Sequence, residues 1–386
     1  MLPPIPPEIF DLIVDHLHGK TITLKACCLI SRSWVPRARR HLFAHVEFSS
    51  RRFPIRLWMN AFPDPSTSPG HHTRSLWLSD LDAIIAAGTS AQTWVHHFRL
   101  IEELEVANVR LDDSIPVSFI QLHRLSPTLK SLRLFRVSAS LSEVLNLICS
   151  FPLLENLSFH RVTTWGNADG WGFPSTSPRL TGSLKLADPI HSVTRGLLDL
   201  PNGLHFSKVT ASCSGDDAKL VVNLVSRCSH ALESLNLAYD SPSVFRSPLL
   251  LWLDDALPLL TAPSPLILSK ATKLKELKFD CTGLSVEWIT TTLQTIKSKK
   301  LRKITITFSS GGALISQVGE ATRREWRDLD YLLVELWTSR STLPTITYKE
   351  SRRWNGLGKL VLSLLPKLAG KGAVNGVGGY CQRSEW

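Results

Sequence analysis

The chain has 386 residues, 43% hydrophobic and 20% charged, which is enough apolar content for a large core and argues against wholesale disorder. Its formal net charge is +11 and its pI about 9.4, but the Lys/Arg clusters are short and no aromatic residues interleave with them, which argues against a nucleic-acid partner. There is no uninterrupted apolar run of membrane-spanning length, a Pro-rich start without a basic or apolar signal region leads us to expect no secretory signal, and seven cysteines without a Cys-x-x-Cys pair argue against a disulfide framework or structural zinc.

In chain order, the first element is a proline-led helix. Ile5-Pro6-Pro7 precedes apolar residues at Ile9, Leu12, Ile13 and Leu17. A second apolar helix carries Leu24, Cys27 and Ile30 and runs into Ser31-Arg32-Ser33-Trp34. A Trp-Val-Pro break follows, and Arg37-Ala38-Arg39-Arg40-His41-Leu42-Phe43 opens a third helix.

This order of segments, over about residues 4–46, resembles the F-box family, whose helical module docks substrate receptors onto the Skp adaptor of cullin-type ubiquitin ligases. The resemblance implies a three-helix F-box over residues 1–48, with adaptor contacts at Ile5, Pro6, Pro7, Ile9, Ile13, Leu24, Cys27, Ile30 and Trp34. Which of these meet the adaptor and which hold the helices together stays open at this level. A blander reading is also open, in which the three helices only cap the remainder of the chain and play no part in ubiquitin transfer.

Residues 49–72, with Pro54, Pro63, Pro65 and Pro69, read as a proline-rich connector. Beyond it the pattern L-x-x-L-x-L recurs, with any apolar residue allowed. Its middle positions are Leu76, Leu104, Leu132, Leu157, Leu184, Val209, Leu235, Leu277 and Ile304, separated by 28, 28, 25, 27, 25, 26, 42 and 27 residues. That period matches a leucine-rich repeat of one strand and one helix per unit. Each L-x-L is a short strand with alternate residues facing inward, and stretches such as Leu141–Ile148 have helical apolar spacing. The expected fold is therefore α/β, with a leucine-rich-repeat-like solenoid of stacked parallel strands over residues 73–350.

The repeats are degenerate. Val109, Val137 and Val162 stand where Asn or Cys usually ties down the loop backbone. The 42-residue step holds a proline-rich insertion, Ser241 to Pro265, with a predicted helix over Leu249–Leu260. Trp326, Leu329, Leu332, Leu333 and Leu336 predict an amphipathic helix over Arg323–Arg340, followed by a closing strand at Thr345–Tyr348. Residues 351–386 read as a capping helix, Gly356–Leu368, and a glycine-rich flexible tail.

No phosphate-binding loop, nucleophile elbow or zinc-protease motif occurs, and His71-His72 and His96-His97 have no Cys or carboxylate at useful spacing. The expectation is a non-catalytic adaptor without cofactors, located in the cytoplasm or nucleus, that joins a Skp-type adaptor, and through it a cullin, to an unknown protein target. The outward strand positions turn basic after the first copy. An acidic or phosphorylated target segment is therefore expected at Arg133, Lys185, Lys208, Lys278 and Lys303.

Overall fold

A computed structural model describes residues 6–50, 53–80, 94–110, 122–125, 127–166, 178–187, 191–213, 217–239, 265–281, 286–309, 320–340, 343–349 and 357–377. The predicted helix Leu249–Leu260 lies outside these residues. The described residues hold thirteen strands and eleven α-helices, and the chain is α/β. By contact it divides into unit 1, Met1–Arg179 with Leu200–Asn202, and unit 2, Leu180–Asp199 with Gly203–Trp386.

Unit 1 opens with helices α1 (Pro7–His16), α2 (Thr21–Ile30) and α3 (Val35–Leu42). Strand β1 (His45–Ser49) follows after only two residues, then α4 (Ile55–Ala61), β2 (Ser75–Ser79) and β3 (Glu103–Arg110). The unit continues with β4 (Ser131–Ser140), α5 (Leu141–Cys149), β5 (Asn156–His160) and β6 (Thr163–Trp165). Strands β1 to β5 pair in chain order, all parallel, and β6 joins the far end of β4.

The repeat spacing is the sheet register. Leu76 stands opposite Leu104, Leu104 opposite Leu132, and Leu132 opposite Leu157. Each of these leucines is at most 2% exposed, so the period read from the sequence is a stack of inward-facing side chains. One carbonyl per step accepts two backbone N–H groups of the next: Arg74 and Ser75 donate to Ala44, Glu102 and Glu103 to Arg74, and Lys130 and Ser131 to Glu102.

The sheet also starts earlier than the leucine series. Val46 and Phe48 of β1 are buried and pair with Leu76 and Leu78, so strand pairing begins at His45. The stretch read as a connector contains α4, whose Trp58 packs within 6 Å of Phe43, Phe48, Phe62 and Phe98 by ring centroid. Aromatic residues there do the work that leucines do later. Gly70 is needed in the same region, because a Cβ on it would lie 2.5 Å from the carbonyl oxygen of His97.

Asp80, Asn108, Arg136 and Arg161 each have a positive φ, between 52° and 57°, four residues after the middle leucine of β2, β3, β4 and β5. In a strand, alternate residues face inward. The left-handed residue resets that alternation, so that Arg136 points out and Val137 turns in. Val109, Val137 and Val162 are thus at most 2% exposed. The valines that looked like a departure from the repeat are core residues. Helix α5 begins with a reciprocal cap: the Ser140 hydroxyl accepts from the Glu143 N–H at 3.3 Å, and the Glu143 carboxylate accepts from the Ser140 N–H at 3.1 Å.

Unit 2 repeats the arrangement with β7 (Ser183–Ala187), α6 (His191–Leu198), β8 (Lys208–Cys213), α7 (Ala218–Cys228) and β9 (Ser234–Tyr239). It continues with β10 (Glu276–Cys281), α8 (Val286–Gln294), β11 (Lys303–Ser309), α9 (Glu320–Arg340) and β12 (Leu343–Lys349). Helices α10 (Leu357–Leu364) and α11 (Pro366–Gly370) and strand β13 (Val374–Val377) close it. Strands β7 to β13 pair in order and in parallel. Leu235 and Leu277 are register partners despite the long step between them, so the insertion leaves the ladder intact.

The helix expected at Arg323–Arg340 begins three residues earlier and buries Trp326, Leu329, Leu333 and Leu336. The expected capping helix is broken at Pro366 into α10 and α11. Part of the tail expected to be flexible is ordered, because β13 pairs with β12 from Ile346 to Lys349. Residues 378–386 lie outside the described residues.

Candidate functional site

Proline placement starts the first helix. Pro7 needs no hydrogen-bond partner for its nitrogen at the first helical position, and the Pro6 carbonyl accepts from the Ile9 N–H at 3.0 Å. The three-helix unit closes on Val14, Leu24, Cys27 and Ala38, with Leu17, Cys28, Trp34 and Leu42 packed around them. The Phe10 and Trp34 rings lie 5.3 Å apart. Asp15 ties α1 to α3: its carboxylate accepts from Arg37 Nε at 2.7 Å and from Arg37 Nη2, and it contacts His41 Nε2 at 2.7 Å.

With that core filled, six large apolar side chains remain uncovered. On α1, Ile9, Leu12 and Ile13 are 44%, 55% and 45% exposed, on one face at helical spacing. On α2, Ile22, Leu29 and Ile30 are 86%, 89% and 68% exposed, again on one face. Isolated apolar residues on a surface are ordinary; two helical rows of them in forty residues are not.

The residues expected to touch an adaptor therefore separate. Pro6, Ile9, Ile13 and Ile30 are exposed. Leu24 and Cys27 are corrected: at 1% and 4% exposure they hold the three helices together, and a partner cannot reach them while the unit stays closed. Trp34 is half-buried against Phe10. Ile5 lies outside the described residues, and of Pro7 only the backbone is described. Leu12, Ile22 and Leu29 were absent from the expected set. The seven-residue step from Ile22 to Leu29 marks those two and the three-residue step from Ile9 marks Leu12, since each returns to the same helical face.

The second candidate surface is the outward side of the strands. In unit 1, Glu47, Trp77, Glu105, Arg133 and Ser158 form one row across β1 to β5, and His45, Ser75, Glu103, Ser131 and Asn156 form the row beside it. A recess of about 220 Å³ opens here, lined among others by His45, Trp77, Glu103, Glu105 and Arg133. Arg133 Nη1 lies 3.8 Å from Glu105 Oε2. Arg133, expected as a cation for an acidic target, keeps a 58% exposed side chain and shares its recess with the carboxylates of Glu103 and Glu105.

In unit 2 the outward rows are basic. Lys208, Lys278 and Lys303 are exposed and Lys185 is half-buried, with Glu276 opposite Lys303. Ion pairs line the strand starts: Glu102 lies 3.4 Å from Arg74 and 3.1 Å from Lys130, and Glu233 lies 2.7 Å from Lys275. The Lys275 ammonium holds the Glu233 carboxyl below the usual carboxylate range.

Among the described residues, no three His, Cys, Asp or Glu side chains gather as a metal site, and no helix is long and apolar enough to cross a membrane. Burial pushes the thiols of Cys149 and Cys228 up to about 11 and about 12, so neither is a ready nucleophile. In comparison with known proteins, no family model matches the chain, and no curated protein matches it.

Proposed function

We propose that this protein is a substrate receptor of a cullin-type (SCF) ubiquitin ligase, with no catalysis of its own. Helices α1 to α3 act as an F-box that docks on a Skp-type adaptor. The parallel strands act as a leucine-rich-repeat-like solenoid that presents a target protein, in the cytoplasm or nucleus. The observation that carries this reading is the exposure of Ile9, Leu12, Ile13, Ile22, Leu29 and Ile30 around a helical unit whose own core is already closed. Covering such side chains is worth roughly 1.5–3 kcal/mol each before association costs, which favours a partner over solvent at this surface. For the target, the reading keeps an acidic or phosphorylated segment for Lys185, Lys208, Lys278 and Lys303.

One observation favours a second reading, a helical cap without a role in ubiquitin transfer. Only Phe43 and Ala44 separate α3 from β1, and the Phe43 ring packs edge-on against Trp58 at 5.8 Å. A cap, however, buries its apolar face on what it caps, and these six side chains are open. Co-purification with the Skp adaptor decides between the two. Ile9→Glu with Leu29→Glu abolishes association and leaves the circular dichroism spectrum unchanged if the first reading holds. Unchanged association, or none in the unmodified protein, supports the cap.

A further inference from the structure

The recess across β1 to β4 carries a further inference, which rests on the target-binding half of the reading above and goes beyond it to a second surface. We infer that it receives the cationic side chain of a lysine or arginine from an extended basic segment of a protein target.

Trp77 on β2 stands in register between Glu47 on β1 and Glu105 on β3. Glu105 lines the recess together with the indole, and Glu47 stands one strand further out in the same row. Glu103 lines the same recess from the adjacent row. Arg133 offsets only one of these charges, and its side chain is 58% exposed. The carboxylates of Glu47 and Glu103 have no hydrogen-bond or ion-pair partner among the described residues. Two carboxylates, Glu103 and Glu105, against one guanidinium leave the recess net negative, and an indole beside them is the best aromatic surface for a cation.

Size narrows the guest further. At about 220 Å³ the recess is below the roughly 300–1,000 Å³ of small-molecule sites, and it fits one long side chain. An anionic guest would meet Glu103 with nothing to neutralise it, and a neutral one would leave that carboxylate unpaired. The chemistry selects a cation.

The test uses the full chain and four libraries of nine-residue peptides, with random flanks and the central residue set as lysine, arginine, acetyl-lysine or glutamate. The expected result is retention of the lysine or arginine library at least about tenfold above the acetyl-lysine and glutamate libraries. That preference should be lost in both Glu103→Gln and Trp77→Leu. Equal retention of all four, retention of none, or a preference that survives both substitutions overturns the inference. Adaptor association is measured on the same preparations. Charge-selective capture without adaptor binding refutes the receptor reading alone, and adaptor binding without selective capture refutes this inference alone.

Discussion

Asp15 on α1 and Arg37 on α3 form a two-pronged ion pair, with Arg37 Nε donating at 2.7 Å and Nη2 donating to the second carboxylate oxygen. The Arg37 guanidinium, with His41 beside it, holds the Asp15 carboxyl well below the usual carboxylate range. Its folded pKa is therefore lower than the unfolded value of about 4. The pair stabilises fully above that value and is lost as pH falls through the folded pKa. Acid titration of the helical signal should show the three-helix unit loosening below about pH 4, and Asp15→Asn should flatten that part of the curve. The pair is one-third exposed, so added salt should shrink the difference.

Leu24 and Leu29 are five residues apart on α2 and have opposite fates. Leu24→Ala opens a cavity in the helical core and should cost about 2–5 kcal/mol of stability. Leu29→Ala should leave the melting temperature within a degree or two, yet weaken adaptor association about tenfold or more. Thermal melts and adaptor titrations of the two variants separate a packing leucine from a docking one.

The left-handed residues give a prediction with a definite sign. Arg161 has a φ of 53° and an exposed side chain. Arg161→Gly should relieve backbone strain and stabilise by up to about 1 kcal/mol, whereas Arg161→Val, a β-branched residue in that conformation, should destabilise by about 1 kcal/mol or more. Denaturant titration measures both. Equal effects of the two variants would remove the backbone explanation.

Asp330 of α9 caps a neighbouring helix rather than its own. Only 2% exposed, it accepts from the N–H groups of Lys367 and Leu368 at 3.0 Å, the first donors of α11. Asp330→Ala leaves both donors without their acceptor, one of them buried, and should cost roughly 1–3 kcal/mol. Limited proteolysis should then cut at residues 366–377 sooner than in the unmodified protein.

Cys149 and Cys228 should resist iodoacetamide at about pH 8 in the folded protein and react once it is unfolded, because their thiolates are suppressed by burial. Mass spectrometry of each peptide checks this, and modification of either in the native state would show that its helix opens readily.

The sequence by itself determined the parallel register, from Leu76 to Leu157 in unit 1 and from Leu184 to Ile304 in unit 2. Inward leucines at a steady period are a local pattern, and stacking turns that pattern directly into a ladder. The helix at Glu320–Arg340 was legible for the same reason, since its apolar spacing repeats within the element itself. Strand β1 was not legible, because Val46 and Phe48 continue a helical segment and find their partners only across the chain. The tertiary structure alone decided that Leu24 turns inward while Leu29 stays open, because helix packing chooses which apolar face is covered. It alone showed that Arg133 faces Glu105 across 28 residues of chain, because a charge finds its partner through strand pairing rather than through sequence neighbours.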